Sequence, residues 1–323
     1  MRILVTGGAG FIGSALVRRL AEEDHEVVVL DDCSRGQFER LTGVSCRKIA
    51  GDIRDEDTVT DAMQGCDAVA HLAYLQGTQT FYAEPRLVLD VALRGILNVL
   101  AACEKCATPD LLLVSSSEAY QIAPEVPTPE EVPLTVPDVQ NPRYSYGGGK
   151  IACELAALAW HHAGPLDRAI IARPHNVIGP DMGREHVVPE FALRMNELVR
   201  RHPDGVIPFP IQGTGQETRS FCYIDDCVEQ LAGLLAHAPA GPSVWHVGNM
   251  DERTIADVAE AVAACYDRKI KVVPGTLPKG SPPRRLPQTA KIQSLLMENE
   301  GALLETPFGA AVRQAVAWYQ RNG

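Results

Sequence analysis

Two side chains near the middle of the chain, Tyr146 and Lys150, have the types and the spacing to move a proton. They stand at positions i and i+4 of a predicted helix, so they share one face of it. An ammonium group beside a phenol stabilises the phenolate, which lowers the pKa of the tyrosine and lets it act as a base near neutrality. Between them stand Gly147, Gly148 and Gly149, each costing about 1 kcal/mol in a helix relative to alanine. These glycines predict that a cofactor or a neighbouring helix presses against this backbone.

A second group of polar residues, Ser115-Ser116-Ser117-Glu118, closes the aliphatic run Leu111–Val114. The carboxyl end of a strand in an open parallel sheet is where ligands bind. In an extended chain Ser116 and Glu118 project to the same side, so the Ser116 hydroxyl could share a substrate proton with Tyr146. Ser-x-x-Glu is also a helix capping box, which leaves chemistry and capping both open for Glu118.

A glycine-rich turn, Gly7-Gly8-Ala9-Gly10-Phe11-Ile12-Gly13, follows the first aliphatic run and opens a predicted helix. Such glycines let a pyrophosphate approach the backbone N–H groups of a helix N-terminus. The next predicted strand ends in Asp31-Asp32, where a carboxylate accepts hydrogen bonds from a ribose 2′-hydroxyl and repels a 2′-phosphate. The pattern predicts NAD rather than NADP, although Arg35 weakens that preference. Asp52 and Ile53, after a third predicted strand, are expected to flank the adenine.

Short aliphatic runs alternate with longer helical patterns through the first half of the chain. We predict strands at Arg2–Thr6, Glu26–Leu30, Asp67–Leu72, Leu111–Ser115 and Ala169–Arg173, and helices at Ser14–Glu23 and Val88–Cys103. This alternation predicts an α/β fold, a Rossmann-like doubly wound parallel sheet with a smaller C-terminal α/β substrate domain. A helix through Cys227–His237 and a strand at Val244–Val247 are expected to return to the main sheet. Residues 1–175, with 218–250, are therefore assigned to the dinucleotide-binding domain, and residues 176–217 and 251–323 to the substrate domain.

The composition limits the class of protein. The 323 residues are 46% hydrophobic and 22% charged, which excludes wholesale disorder. A net charge of −11 argues against a broad nucleic-acid or anionic-membrane face, and no apolar run approaches the roughly 20 residues that span a bilayer. The nine scattered cysteines suit free thiols in a reducing compartment, so we expect a cytoplasmic protein. Cys103 and Cys106 lack a second ligand pair, and no metal site is predicted.

Taken together, the glycine-rich turn, the triple serine and the Tyr146–Lys150 pair resemble the extended short-chain dehydrogenase/reductases, specifically the nucleotide-sugar epimerase/dehydratase family. The likeness covers nearly the whole chain. His71-Leu72-Ala73 is similar to the family's segment beside the cofactor, and the asparagine of its strand-and-loop segment, which contacts the substrate diphosphate, is here Asn176. Arg219 stands in a segment that resembles the diphosphate-binding signature, and Arg285 stands where a second such arginine is usual.

The resemblance implies that NAD takes a hydride from a sugar carbon, normally C4, as Tyr146 removes the hydroxyl proton. Lys150 would hold the nicotinamide ribose, and Ser116 would orient the sugar hydroxyl. The implied substrate is a nucleotide-diphosphate sugar, and the implied assembly is a homodimer through a four-helix contact of Leu87–Cys103 and Gly147–Ala163. Further cofactor contacts are expected at Leu72, Ala73 and Pro174, and further substrate contacts at Ser117, Val188 and Pro208.

Three reactions branch from this first step, and the sequence favours a 4-epimerase, in which the keto sugar turns over and receives the hydride on its other face. The alternative is a 4,6-dehydratase or a nucleotide-diphosphate-uronate decarboxylase. Glu118 favours these because typical 4-epimerases carry small residues there, whereas Ser116 is found in many epimerases. A binding module that keeps NAD without turnover is a third interpretation, and the intact Ser116, Tyr146 and Lys150 argue against it. The nucleotide base and the sugar stay open.

Overall fold

The computed structural model describes residues 1–277, 280–301 and 305–323. Within these residues the strands are β1 (Arg2–Thr6), β2 (Glu26–Asp31), β3 (Arg47–Ala50), β4 (Ala68–His71), β5 (Asp110–Val114), β6 (Arg168–Pro174), β7 (Val177–Ile178), β8 (Ile207–Pro210), β9 (Thr218–Ser220), β10 (Cys222–Tyr223), β11 (Gly241–Val247), β12 (Glu252–Thr254), β13 (Ile270–Val273) and β14 (Arg284–Arg285). The helices are α1 (Phe11–Glu22), α2 (Glu56–Met63), α3 (Thr78–Ala83), α4 (Pro85–Cys106), α5 (Tyr144–Ala163), α6 (Val187–Arg201), α7 (Ile224–His237), α8 (Ile255–Ala264), α9 (Ala290–Glu300) and α10 (Phe308–Asn322).

Seven of the described strands form one parallel sheet in the order β11-β6-β5-β4-β1-β2-β3. The chain builds outward from β1 through β2 and β3 and then crosses back to β4, so the strand order reverses between β1 and β4. In open parallel sheets, ligands bind at the carboxyl ends of the strands beside such a reversal. The doubly wound, Rossmann-like fold predicted from the sequence is confirmed.

Helices cover both faces of this sheet, which explains why its strands read as continuous apolar runs. Within β1, Ile3 and Val5 belong to the core that α1, α7 and the C-terminal elements share. Leu4 points the opposite way, into the core formed with α2 and α4. The sheet therefore separates two hydrophobic cores, and the functional residues lie along its carboxyl edge between them.

The chain returns to this sheet after a long excursion, as the sequence predicted. Helix α7 covers the sheet, and β11 pairs with β6 over seven residues, from Gly241 to Val247. The small sheets β13-β8, β12-β9-β14 and β10-β7 lie outside the main sheet and pack with α6, α8 and α10. The division into a cofactor and a substrate domain at the boundaries given above stays a prediction.

Two helices are longer than the sequence indicated. Helix α4 begins at Pro85 instead of Val88, because proline suits the first turn, where no intrahelical N–H bond is needed. It ends at Cys106, where Ala107 takes the left-handed conformation that commonly closes a helix. Helix α1 begins at Phe11, inside the glycine motif, three residues before the predicted start. The earlier start of α1 places its N-terminus directly beside the glycine-rich turn.

Three structural findings bear on the function classes. No helix in the described part of the chain is both long and apolar enough to cross a membrane. The nine cysteines are free thiols. Across residues 1–277, 280–301 and 305–323, no group of three or more His, Cys, Asp or Glu side chains is arranged to hold a metal ion.

Candidate active site

A cavity of about 560 Å³ runs along the carboxyl edge of the main sheet. Its lining includes every cofactor contact expected from the sequence: Gly7, Gly10, Phe11, Ile12, Gly13, Asp31, Asp32, Asp52, Ile53, Leu72, Ala73, Tyr146, Lys150 and Pro174. Ser116, Ser117, Glu118, Asn176 and Arg285 line the same cavity. Fold and sequence motifs thus bring the expected cofactor and catalytic residues into one cleft.

The glycine-rich turn is shaped for a close approach of backbone to backbone. Gly7 has φ +71°, and a Cβ there would stand 2.6 Å from the Ala73 nitrogen. A Cβ on Gly13 would overlap the Gly7 carbonyl oxygen. Helix α1 has no side-chain cap at Gly10, so its first-turn N–H groups are left to an anionic ligand. These features fit a dinucleotide pyrophosphate.

The two strand-end aspartates differ in what they already bind. The Asp31 carboxylate accepts hydrogen bonds from the N–H groups of Ala9 and Cys33, each at 2.9 Å. Burial raises the pKa of Asp31, and those two N–H groups oppose the rise. Asp32 accepts from the N–H and the hydroxyl of Ser34. Asp31 therefore organises the glycine turn itself, and both carboxylates place negative charge where a 2′-phosphate would lie, which fits NAD.

Tyr146 is held by two aromatic rings. Its ring stacks on Phe81, with centroids 4.8 Å apart, and meets Tyr74 edge-on at 5.0 Å. Burial raises the pKa of Tyr146 to about 12, while the hydrogen bond with the Ser116 hydroxyl opposes the rise. The lowered pKa expected from Lys150 is not found in this structure. When bound, NAD supplies the hydride acceptor, and its positively charged nicotinamide favours the phenolate.

Lys150 does not point at the tyrosine hydroxyl, which explains that difference. Its Nζ donates a hydrogen bond to the Val114 carbonyl oxygen at 2.8 Å and stands 5.8 Å from the centroid of the Tyr146 ring. The same ammonium lies only 4.0 Å from the centroid of the Tyr74 ring. Burial lowers the pKa of Lys150 to about 8. Burial therefore weakens the hold of this ammonium group on its proton.

The helix cap at this position is supplied by Ser116 and not by Glu118. The chain turns at Ser117 into a short 3₁₀ helix, Ser117–Tyr120, and the Ser116 hydroxyl caps it by accepting from the Glu118 N–H at 3.1 Å. The Glu118 carboxylate instead accepts from Nη1 of Arg285 at 2.5 Å. Burial acts to raise the pKa of Glu118, but Arg285 outweighs it and the pKa ends below its usual value. Glu118 is thus an ionised carboxylate that lines the cleft.

The two predicted diphosphate arginines lie side by side. Arg219 and Arg285 are directly opposite each other in the β9–β14 pair. Burial, followed by the like charge of Arg285, lowers the pKa of Arg219 to about 10. A third guanidinium, Arg143, lines the same cleft and acts electrostatically on Glu118. Sequence reasoning missed Arg143, although its place three residues before Tyr146, about one turn earlier, was a usable signal.

A second cavity of about 280 Å³ adjoins the first, since Asn176, Val177, Met182, Glu185 and His186 line both. Val188 and Pro208, two of the expected substrate contacts, line neither cavity, and their assignment to the substrate stays a prediction. Val188 lies on the inner face of α6 and is fully buried in the core. Each step along a helix rotates the side-chain direction by about 100°, so neighbouring residues of α6 face different ways. Pro208 faces outward from β8 while its neighbour Phe209 is buried.

The three helical glycines play unequal parts. A Cβ at Gly147 would overlap the side-chain amide of Gln121, and one at Gly149 would overlap the Tyr74 hydroxyl. A Cβ at Gly148 would meet only a methyl group of Val136, at an ordinary 3.5 Å. The close contact predicted for this backbone is found at Gly147 and Gly149, where side chains from other segments of the chain approach it. Gly148 carries no such requirement.

Beneath the cleft lies a second ion pair that sequence reasoning did not find. The guanidinium of Arg173 binds Glu154 through two hydrogen bonds, at 2.6 and 3.0 Å. The Ser115 hydroxyl donates to the same carboxylate. Arg173 also donates to the Tyr120 hydroxyl, which in turn bonds to the His246 ring at 2.7 Å. This network joins β5, α5, β6 and β11 directly under the catalytic residues.

Comparison with known proteins shows the family of this chain. Residues 3–248 match the family described as "NAD dependent epimerase/dehydratase family". The chain belongs to this family. That membership confirms the family resemblance and NAD as the cofactor.

Individual members of the family perform different reactions. A UDP-glucuronic acid decarboxylase of Arabidopsis thaliana is 31% identical over 92% of this chain, which spans 65% of that relative's length. A dTDP-glucose 4,6-dehydratase of Streptomyces niveus is 29% identical, with 100% of this chain and 94% of the relative covered. The crystal structure of a UDP-glucose 4-epimerase of Thermus thermophilus in complex with NAD is 25% identical, with a TM-score of 0.80 over 99% of both chains. The comparisons therefore do not choose among the three reactions.

Proposed function

We propose that this protein is an NAD-dependent enzyme that oxidises C4 of a nucleotide-diphosphate sugar, and that its substrate is a uronate which it decarboxylates. The carrying observation is the ionised Glu118, which lines the cleft beside Tyr146 together with Arg285 and Arg143, while Arg219 lines the adjoining cavity with Glu217. Three guanidinium groups and these two carboxylates leave a net charge of +1. A diphosphate and a sugar carboxylate are the anions that such a surplus suits.

The first step is carried by the residues already described. Tyr146 takes the proton of the C4 hydroxyl, and Ser116, whose hydroxyl reaches Tyr146, orients that hydroxyl. The aromatic contacts of Tyr146 with Phe81 and Tyr74 fix its ring, so little orientation remains to be lost when substrate binds. The C4 ketone that results makes a C6 carboxylate a β-keto acid, which releases carbon dioxide and leaves an enolate at C5. C5 then takes up a proton, and reduction of the ketone completes the cycle.

Decarboxylation is the reaction that requires the fewest catalytic groups from the residues present. A 4,6-dehydratase must donate a proton to the departing C6 hydroxyl, and Ser117, which stands beside Glu118, is buried and is not an acid at neutral pH. Loss of carbon dioxide needs no such donor. The negative charge moves from the carboxylate to the C4 oxygen of the enolate, beside Tyr146 and Ser116, and Arg285 can bind the carboxylate before it departs.

The 4-epimerase favoured by the sequence is kept as the second candidate. The observation that favours it is the ion pair itself, because a Glu118 that stays bound to Arg285 throughout turnover takes no part in chemistry. In that case the 4-keto sugar would turn over in the cleft and be reduced on its other face. The related epimerase structure lends this candidate support at the level of the fold.

One experiment separates the reactions. The NAD-loaded protein is incubated with UDP-glucuronate, UDP-glucose and dTDP-glucose, and the products are followed by mass spectrometry and proton NMR. We expect UDP-glucuronate to lose the mass of carbon dioxide and to give a pentose. An unchanged mass with a new anomeric signal would establish the epimerase, and loss of water would establish the dehydratase. Tyr146→Phe is the control, with an expected loss of 10²- to 10⁴-fold in rate and intact NAD binding.

We also propose that the active form is the homodimer expected from the sequence. Helices α4 and α5 pack together and leave Leu89, Leu93 and Leu97 exposed at four-residue spacing, with Leu155 exposed on α5. Such a stripe suits a helical contact between two copies. Light scattering should give twice the 35.0 kDa chain mass. A monomer mass that does not change with concentration would refute the dimer.

A further inference from the structure

Tyr74 lies immediately after Leu72 and Ala73, at the carboxyl end of β4, and lines the cofactor cleft. Its ring does two things at once. The centroid stands 4.0 Å from the Lys150 ammonium, and the ring meets the Tyr146 ring edge-on at 5.0 Å. At 4.0 Å an ammonium group is well inside the range in which an aromatic face attracts a cation.

The hydroxyl of the same residue contacts the backbone of α5. It donates a hydrogen bond to the Tyr146 carbonyl oxygen at 3.2 Å. Room for this hydroxyl exists only because residue 149 is glycine, since any Cβ there would overlap it. Tyr74 and Gly149 are thus a matched pair, and the match explains one of the glycines that stand between Tyr146 and Lys150.

The ammonium that Tyr74 contacts has little other support. Lys150 is buried, and its hydrogen bond goes to a neutral carbonyl, that of Val114. Within residues 1–277, 280–301 and 305–323 no carboxylate oxygen comes within 4.0 Å of its Nζ. A buried ammonium without a counter-ion tends to lose its proton. The Val114 carbonyl oxygen and, from farther away, the Glu154 carboxylate also favour the charged form. Tyr74 adds the nearer of the two aromatic faces, with its centroid 4.0 Å from the ammonium against 5.8 Å for Tyr146.

We propose that Tyr74 is a positioning residue for the proton-moving pair: its face keeps Lys150 charged, and its hydroxyl fixes the first turn of α5 on which Tyr146 stands. This inference rests on the proposed function in one respect, that Tyr146 and Lys150 move the proton. The electrostatic part concerns the state of Lys150 alone, so it can be tested without turnover.

The test is a pH titration of Lys150 in the NAD-bound protein, with lysine labelled by ¹³C at Cε and followed by NMR. The chain has only seven lysines, and the Lys150 signal is assigned by its absence in Lys150→Met. Tyr74→Leu removes the aromatic face, and we expect the pKa of Lys150 to fall by about one pH unit, the size that a desolvated cation–π contact implies. Tyr74→Phe keeps the face and should leave the titration unchanged.

Three further variants separate this role from simple packing. Phe81→Leu removes the other ring on Tyr146 and should leave the Lys150 titration unchanged, even where it lowers the melting temperature. Gly149→Ala pushes the Tyr74 hydroxyl away and should lower the pKa of Lys150, as Tyr74→Leu does, so it also serves should Tyr74→Leu fail to fold. Gly148→Ala is its matched control, with no shift expected.

The outcomes decide the inference separately from the reaction. An unchanged Lys150 titration in both Tyr74→Leu and Gly149→Ala would overturn it, as would a shift in Tyr74→Phe as large as in Tyr74→Leu. Where a nucleotide sugar is turned over, the alkaline limb of the rate profile should move to lower pH with the NMR value. If no nucleotide sugar is turned over, the proposed function fails while the NMR result still stands.

Discussion

Two arginine–glutamate pairs, Arg173–Glu154 and Arg285–Glu118, share their chemistry but differ in burial, in hydrogen bonding and in the charges around them. In the floor pair, Glu154 and Arg173 are 4% and 5% exposed and share two hydrogen bonds. In the cleft pair, Glu118 and Arg285 are 31% and 10% exposed and share one, with two more arginines nearby. Every charge of the floor pair is matched, whereas the cleft pair stands in a surplus of positive charge.

The difference teaches how the same two residue types serve two purposes. A fully desolvated and fully bonded pair resists exchange, since any new partner would have to break several bonds at once. In the cleft pair only Glu118 is partly exposed, and the further guanidinium groups around it give it other partners when an incoming anion binds Arg285. The floor pair therefore belongs to the architecture, and the cleft pair is the one that we propose meets the substrate.

The strongest test of this comparison removes one residue of the floor pair. Glu154→Ala leaves the Arg173 guanidinium buried without a counter-ion, and we expect the free energy of unfolding to fall by about 3–5 kcal/mol. Urea denaturation followed by circular dichroism measures this. The matched control is Glu118→Ala, with a smaller expected loss, because Glu118 is partly exposed and Arg285 keeps its hydrogen bond to the Gln121 carbonyl oxygen. Equal losses in the two variants would contradict the assignment.

The cleft pair should show the opposite profile, with activity lost and stability kept. Glu118→Gln keeps the size of the side chain and removes the charge that holds Arg285 in place, and we expect the rate of sugar turnover to fall about 100-fold, as for displacement of a substrate-positioning group. NAD binding should be unchanged. Full activity in Glu118→Gln would make this carboxylate a bystander and favour the epimerase.

Gly147 lies where the Glu118 segment meets α5, so substitutions of the glycines test how tightly the two are joined. A Cβ there would stand 2.8 Å from the Glu118 carbonyl oxygen and would also displace the Gln121 side chain. We expect Gly147→Ala to lower the free energy of unfolding by about 1–3 kcal/mol. Gly148→Ala should raise it by up to about 1 kcal/mol, because alanine is the better helix former. Thermal melts of the two variants should therefore move in opposite directions.

The smallest effect is the pH dependence of the cleft pair. The pKa of Glu118 is below its usual 4.5, so the folded state favours the ionised form. The stability that this gives is complete above about pH 4.5 and is lost as the pH falls through the lower, folded-state value. From pH 7 to 5 the stability difference between wild type and Glu118→Gln should stay constant, and it should narrow below pH 4.5. Acid titrations of both proteins, monitored by fluorescence, measure this.

Local patterns were enough for the cofactor half of the site. Gly7, Gly13 and Asp31 are close in the sequence, and the strand–turn–helix that joins them has a fixed geometry, so the fold and the residues that line this part of the cleft could be predicted. The partner of Glu118 could not, because Arg285 is 167 residues away and nothing near either residue specifies the pairing. The part played by each helical glycine was also hidden, since it depends on Gln121 and Tyr74, which reach α5 only in the folded chain.

The edge strand β11 determines when the main sheet can be completed during synthesis of the chain. Its partner β6 ends at Pro174, yet Val247 must be made before the last register pair between them can form. Until β11 has been synthesised, the backbone N–H and C=O groups along one edge of β6 have no strand to pair with. The sheet that carries the cofactor cleft is therefore completed late in synthesis, after most of the residues that line the cleft have been made.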